Sequence, residues 1–306
     1  MLFQPPARIE SKVFARLPDH LRVKGRRSGW SFGKGRDDLH SFLEGPSFDR
    51  AGNLYLVDIP YGRILRISPQ AEWTVVCEYD GWPNGLKIHS DGRIFIADHR
   101  RGILQLDAGN GRITPVLEHV RREGFKGTND LIFASNGDLY FTDQGQSGIA
   151  DPTGRVWRLR ANGELQKLVS NAPSPNGVTL NNKNTQVLVA ITRSQQIWRL
   201  PLMHDGQVSK TGVAVQLSGG VGPDGIEMDA ENGLVVCHLN VGVWRFDAHM
   251  LPTHLVYTAD RKKHDHMANI AFGGPDYKTI YITESLSGDV LMARMPVAGK
   301  KLFGLQ

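Results

Sequence analysis

Six polar residues stand at the head of similar segments along the chain: Glu44, Asn84, Asn129, Asn176, Asp224 and Asn269. Successive heads are 40, 45, 47, 48 and 45 residues apart. Two are carboxylates and four are amides, and their oxygens are the donors that hard cations such as Ca2+ and Mg2+ take. Six such groups gathered in one narrow space are costly to desolvate unless something satisfies them. Glu44 and Asp224 would neutralise a bound divalent ion. Asn and Asp also serve as turn and strand-entry caps by bonding local backbone. That quieter role is expected of Asn84 and Asn269, whereas Glu44 is a poor turn-former.

The elements that would position these heads form a repeat. The copies are EGPSFDRAGNLYLVD (44–58), PNGLKIHSDGRIFIAD (83–98), TNDLIFASNGDLYFTD (128–143), PNGVTLNNKNTQVLVAIT (175–192), PDGIEMDAENGLVVCHL (223–239) and ANIAFGGPDYKTIYITES (268–285). Each reads as strand, polar turn, strand, and the turns carry the Asn-Gly and Asp-Gly steps that suit hairpins. Third strands follow at RILRIS, ILQLDA, RVWRLRA, QIWRLPL, VWRFDA and DVLMARM, and fourth strands after five of them. A period of this size fits one four-stranded propeller blade. The chain is therefore predicted to be all-β, a single six-bladed β-propeller of four-stranded antiparallel blades over residues 1–306. The last repeat lacks an outer strand, and ESKVFARLP (10–18) is expected to supply it, closing the ring and removing an open sheet edge. In such a meander the first strand of each blade lines the channel. All six heads then meet at one end, with the loops DIPYGR, DHRRG, DQGQSGIADPTG, ITRSQQ, HLNVG and TESLSG around them. Trp157, Trp198 and Trp244, on third strands, are expected to pack between blades.

Those residues carry a resemblance. EGP at 44–46, TNDLIF with LYFTD at 128–143, PNGVTL at 175–180, PDGIEMD at 223–229, and NIAFGGPD with IYIT at 269–283 resemble the SMP-30/gluconolactonase/luciferin-regenerating-enzyme family in order and spacing. The resemblance implies a lactone hydrolase with one bound divalent metal ion. Ca2+ is the expected ion, with Mg2+, Mn2+ and Zn2+ as alternatives. It implies that Glu44, Asn176 and Asp224 bind the metal, that Asn129 lies near metal and substrate, and that Asp130 is the proton-transfer residue. Animal members carry an Arg two residues before that Asn. Here the position is Gly127, and Arg100, Arg101, Tyr61 or Gln144 on the same face is expected to hold the substrate instead. His266 is a further substrate contact. The small-molecule partner would be a lactone. Two rivals stay open: a phosphotriesterase-like hydrolase on the same metal site, and a non-catalytic binding propeller. The joint presence of Glu44, Asp130 and Asp224 favours the enzyme.

Composition excludes other classes. The chain has 306 residues, 22% of them charged, and a net charge of +5. Much of the excess is local: Arg22, Lys24, Arg26, Arg27, Lys34 and Arg36 fall in one stretch without an acid. A nucleic-acid role would rest on that stretch alone. Residues 20–40 are expected instead to form a basic loop over the active face, as a lid or a lure for an anionic lactone. GKGR at 33–36 is no phosphate-binding loop, because the downstream Gly-Lys-Ser/Thr is missing. No GxSxG nucleophile elbow occurs. Cys77 and Cys237, in strand-like runs, are expected to be free thiols. No apolar run nears the roughly 20 residues of a membrane span, and MLFQPPARIE lacks a secretory pattern. A cytoplasmic location is expected.

Overall fold

A computed structural model describes residues 4–32, 36 and 38–305. Six sheets, each with four antiparallel strands, follow one another along the chain, one per repeat, and the fifth carries one strand more. Their innermost strands are Leu43–Phe48, Pro83–Ile88, Thr128–Phe133, Pro175–Leu180, Gly222–Met228 and Met267–Gly273. Each innermost strand packs against that of the next blade, and the sixth returns to the first, so the sheets form a closed six-bladed β-propeller.

Alternation along the strands explains the packing. Apolar side chains of neighbouring blades meet at six seams, one between each adjacent pair. Trp157 is buried at the seam of blades two and three, Trp198 packs at that of blades three and four, and Trp244 at that of blades four and five. Burial of this kind, at about 25 cal/mol per Å2 of apolar surface, is the main term holding the ring.

Closure follows the expected route with one addition. Lys12–Arg16 pairs antiparallel with Asp289–Arg294 and completes blade six, and Ala15 and Leu17 fill its seam with blade one. Just before it, Ala7–Glu10 pairs in parallel with Pro252–Tyr257 as a fifth strand on blade five. The N-terminal segment thus ties blades five and six together. Cys77 and Cys237 are free. No described helix is long and apolar enough to cross a membrane.

Candidate functional site

Every innermost strand carries a register irregularity at its head. It falls between Glu44 and Ser47, Pro83 and Gly85, Thr128 and Leu131, Pro175 and Val178, Pro223 and Ile226, and Met267 and Asn269. A bulge re-aims the side chain it carries; here the heads turn toward the channel end. The glycine that follows four of the heads permits close approach of the next blade. A Cβ on Gly177 would lie 2.4 Å from the Asp224 carbonyl oxygen, and one on Gly225 would lie 2.2 Å from Asn269 Oδ1. Acids at the ends of the second strands then fix the entry to the inner strands. Asp58 accepts from the Phe42 amide (2.7 Å), Asp143 from Gly127 (2.8 Å) and Glu284 from His266 (2.9 Å).

At this end lies a cavity of about 470 Å3, lined among others by Glu44, Asn84, Asn129, Gln144, Asn176, Asp224 and His266. Glu44 Oε2 accepts from its neighbour Gly45 N and from Asn269 Nδ2, both at 2.9 Å. Burial, with the Asp224 carboxylate nearby, pushes the Glu44 carboxyl well above the carboxylate range. Burial and the charge of Asp130 raise Asp224 from 3.8 to about 7, against a hydrogen bond from Asn176. Both acids line this cavity, at 4% and 8% exposure. Among the described residues no three His, Cys, Asp or Glu side chains gather where they could hold a metal; this group offers two carboxylates, with amide oxygens beside them.

Asn129 lines the cavity and donates Nδ2–H to Gln144 Oε1 at 3.1 Å, and Gln144 in turn donates to Ser174 Oγ at 2.9 Å. Asp130 lies one layer below the lining, at 2% exposure. Its Oδ1 accepts from Leu131 N (2.8 Å) and its Oδ2 from Val178 N (3.4 Å). The Thr142 hydroxyl links the layer, accepting from Asp130 N at 3.1 Å and donating to the Asn176 carbonyl at 2.7 Å. Burial raises Asp130 to about 6, opposed by the nearby Lys87 ammonium. His266 is pushed down to about 4 by burial and by Arg36, so it is neutral at pH 7.

Three expected substrate contacts do not line the cavity. The Arg100 and Arg101 amides are both held at 2.9 Å by Asp98 Oδ1, which turns their loop. Arg100 pairs with Asp80 at 2.5 Å and lies over Trp82, and Arg101 points to Glu118 at 3.8 Å. Tyr61 is 3% exposed and its hydroxyl donates to the Leu39 carbonyl and, at 3.2 Å, to the Arg26 carbonyl. It anchors the basic loop from beneath. In that loop Arg26 pairs with Glu78 at 2.7 Å, while Trp30 and Arg36 line the cavity. Lys34 and the rest of GKG at 33–35 lie outside the described residues.

Gly127 has a physical reason. Its φ is +148°, and a Cβ there would sit 2.3 Å from His99 Cε1, so His99 occupies the space an Arg side chain would need. His99 itself lines the cavity, as does Arg193, which sequence reasoning passed over. Arg193 stands in ITRSQQ, a loop that topology alone assigns to this face. Below the cavity Lys87 Nζ donates to Glu227 Oε1 at 2.8 Å, across the channel from blade two to blade five. Each lies three residues after its head, on the channel side of an otherwise apolar strand. That shared offset was the available signal.

The SMP-30/Gluconolactonase/LRE-like region matches residues 42–285. Lactonase drp35 of Staphylococcus aureus (strain MRSA252) is 28% identical over 212 residues, 65% of this chain and 64% of the relative. The chain thus spans about 64% of the length of the curated relatives it matches. A Xanthomonas campestris gluconolactonase structure superposes with TM-score 0.73 at 22% identity, covering 84% of this chain and 86% of that one. Regucalcin from Agrobacterium tumefaciens, a calcium-binding protein, superposes with TM-score 0.74 at 18% identity, covering 98% of both chains. These two likenesses show a shared fold. With the matched region running from blade one through the second strand of blade six, the chain belongs to the SMP-30/gluconolactonase/LRE-like family.

Proposed function

We propose that this propeller hydrolyses a small lactone to its hydroxy acid in the cavity between Glu44 and Asp224. The observation that carries the reading is the pair of buried carboxylates lining one cavity at the channel end, with Asn129 and Asn176 beside them and Asp130 below. Lactonase and gluconolactonase relatives support the reaction class.

The residues fit a divalent cation. Asp224 raises the proton affinity of Glu44, Asp130 raises that of Asp224, and the Lys87 ammonium below them is already matched by Glu227. Glu44, Asn176 and Asp224 would hold the ion through oxygen, the donor set of Ca2+ before that of Zn2+, and the calcium-binding relative points the same way. When bound, the ion supplies Lewis-acid polarisation of the ester carbonyl. The chain's own residues do the rest. Asn129, held by Gln144, orients the lactone. Asp130, just below the lining, takes the proton of the attacking water as the new C–O bond forms. It returns that proton to the ring oxygen as the ring C–O bond breaks. His266, neutral and 5.7 Å from the Phe42 ring, offers a polar edge to the substrate.

Nothing favours the phosphotriesterase or pure binding reading over this one. Two free thiols suit a reducing compartment such as the cytoplasm. The test is ring opening of a sugar-lactone panel by the wild type and by Asp224→Ala. Turnover lost with the carboxylate supports the assignment, and full activity in the variant sinks it.

A further inference from the structure

The cavity wall holds two arginines that make no ion pair with a described acid. Around the same end of the propeller four other arginines are matched. Arg26 pairs with Glu78, Arg63 with Asp58, Arg100 with Asp80 and Arg101 with Glu118. Arg36 and Arg193 line the cavity itself and make no ion pair among the described residues. They approach from different sides. Arg36 lies close enough to His266 to depress its basicity, and Arg193 close enough to Asp224 to oppose the rise in its proton affinity.

Arg193 is exposed at the cavity rim, but the turn that carries it is fixed. It sits in the single turn Thr192–Ser194. The Thr192 amide donates to the Ser174 carbonyl at 3.1 Å, and its hydroxyl donates to the Pro223 carbonyl at 2.8 Å, next to Asp224. The adjoining Gly222, at φ +131°, lets the two backbones touch, since a Cβ there would fall 2.2 Å from the Thr192 carbonyl oxygen. The base of Arg193 is therefore fixed to the strand that carries Asp224.

Charge accounting then points to the ligand. A divalent cation held as proposed would match Glu44 and Asp224, and Glu227 matches Lys87. What remains is the Asp130 carboxylate below and two guanidiniums facing the ligand space. A neutral sugar ring offers hydroxyl oxygens but no countercharge to two guanidiniums, whereas a carboxylate or phosphate binds them through paired charge-assisted hydrogen bonds. We infer that the substrate is an anionic lactone, a ring bearing a carboxylate or phosphate besides its ester, and that Arg193 and Arg36 are the residues that recognise that group. The inference rests on the lactonase reading of the cavity. It moves the anion-attracting role from Arg26 and Arg27, expected from the basic stretch, to Arg36 and to a residue on blade four.

The experiment compares kcat/KM for glucono-1,5-lactone with that for glucaro-1,4-lactone and 6-phosphoglucono-1,5-lactone, at low and high salt. The wild type should favour one of the anionic rings at least tenfold, with a preference that shrinks as salt rises. Whichever anion wins distinguishes carboxylate from phosphate. Arg193→Gln should cut that preference roughly 10- to 50-fold, the worth of one charge-assisted bond. Arg193→Lys should restore part of it. Arg100→Gln removes the same charge outside the cavity and should leave the preference in place. A wild type without preference, or a preference that Arg193→Gln does not move, overturns the inference while leaving lactone hydrolysis standing. If no lactone opens, the hydrolase reading falls instead, and calorimetric titration with glucarate decides the anion site. Binding weakened by Arg193→Gln sustains it, and binding equal in wild type and variant overturns it.

Discussion

Replacing Asp224 by Asn separates what the site costs the fold from what it contributes to binding. Asp224 is buried, and its pKa is raised from 3.8 to about 7 by that burial and by the Asp130 carboxylate. Holding it ionised at pH 8 without a counter-cation costs up to roughly 4 kcal/mol, at 1.36 kcal/mol per pH unit between those two values. The folded chain binds this proton more tightly than the unfolded chain does. The associated stability is therefore full below about pH 4 and is lost as pH rises toward 7. Asn is isosteric, carries no charge and keeps an acceptor for Asn176. In chelator at pH 8, Asp224→Asn should exceed the wild type by about 2–4 kcal/mol, read as several degrees in thermal unfolding, and the gap should narrow at pH 5. With a divalent cation at 100 times its Kd the wild type gains about 2.7 kcal/mol, the variant gains little, and the order closes or reverses. A variant less stable than wild type in chelator at pH 8, or one stabilised by cation as strongly, would refute the electrostatic picture.

Other expectations follow from the layer beneath the cavity. Asp130 must be ionised to accept a proton, and its pKa stands at about 6, so kcat/KM should rise with pH through about 6 and level off above it. Asp130→Asn, which can still accept from Leu131 or Val178, should lower kcat by about 100- to 10,000-fold, the usual worth of a general base, while thermal stabilisation by cation persists. Lys87→Met leaves Glu227 as an unmatched buried charge and should cost about 3–5 kcal/mol in chemical denaturation. It also removes the cation that opposes protonation of Asp130, so in the surviving folded fraction the rise in kcat/KM should move to higher pH.

The ring, its six repeats and the place of the heads were legible because strand alternation and the spacing of Glu44 through Asn269 are local, periodic signals. Closure by Lys12–Arg16 followed from the missing outer strand of blade six. The parallel pairing of Ala7–Glu10 with blade five left no signal, since edge pairing depends on where the closing strand delivers the chain. At the site, topology could place a loop on a face but could not orient its side chains. Arg100 and Arg101 share that face, yet Asp98 captures their amides and Asp80 and Glu118 draw their guanidiniums outward. Tyr61 turned under the basic loop because its hydroxyl had carbonyls to satisfy there. Arg193 was hidden for the opposite reason: one arginine in ITRSQQ is unremarkable until Thr192 and Gly222 pin its backbone beside Asp224.

The measurement closest to the central claim is the hydrolysis rate of a lactone panel, including glucono-1,5-lactone and anionic counterparts, before and after chelation and with Ca2+, Mg2+, Mn2+ and Zn2+ added back singly. The account predicts turnover of at least one lactone that is lost on chelation and restored by a divalent ion, Ca2+ foremost. Turnover of none of them by protein shown to bind a divalent cation would contradict it.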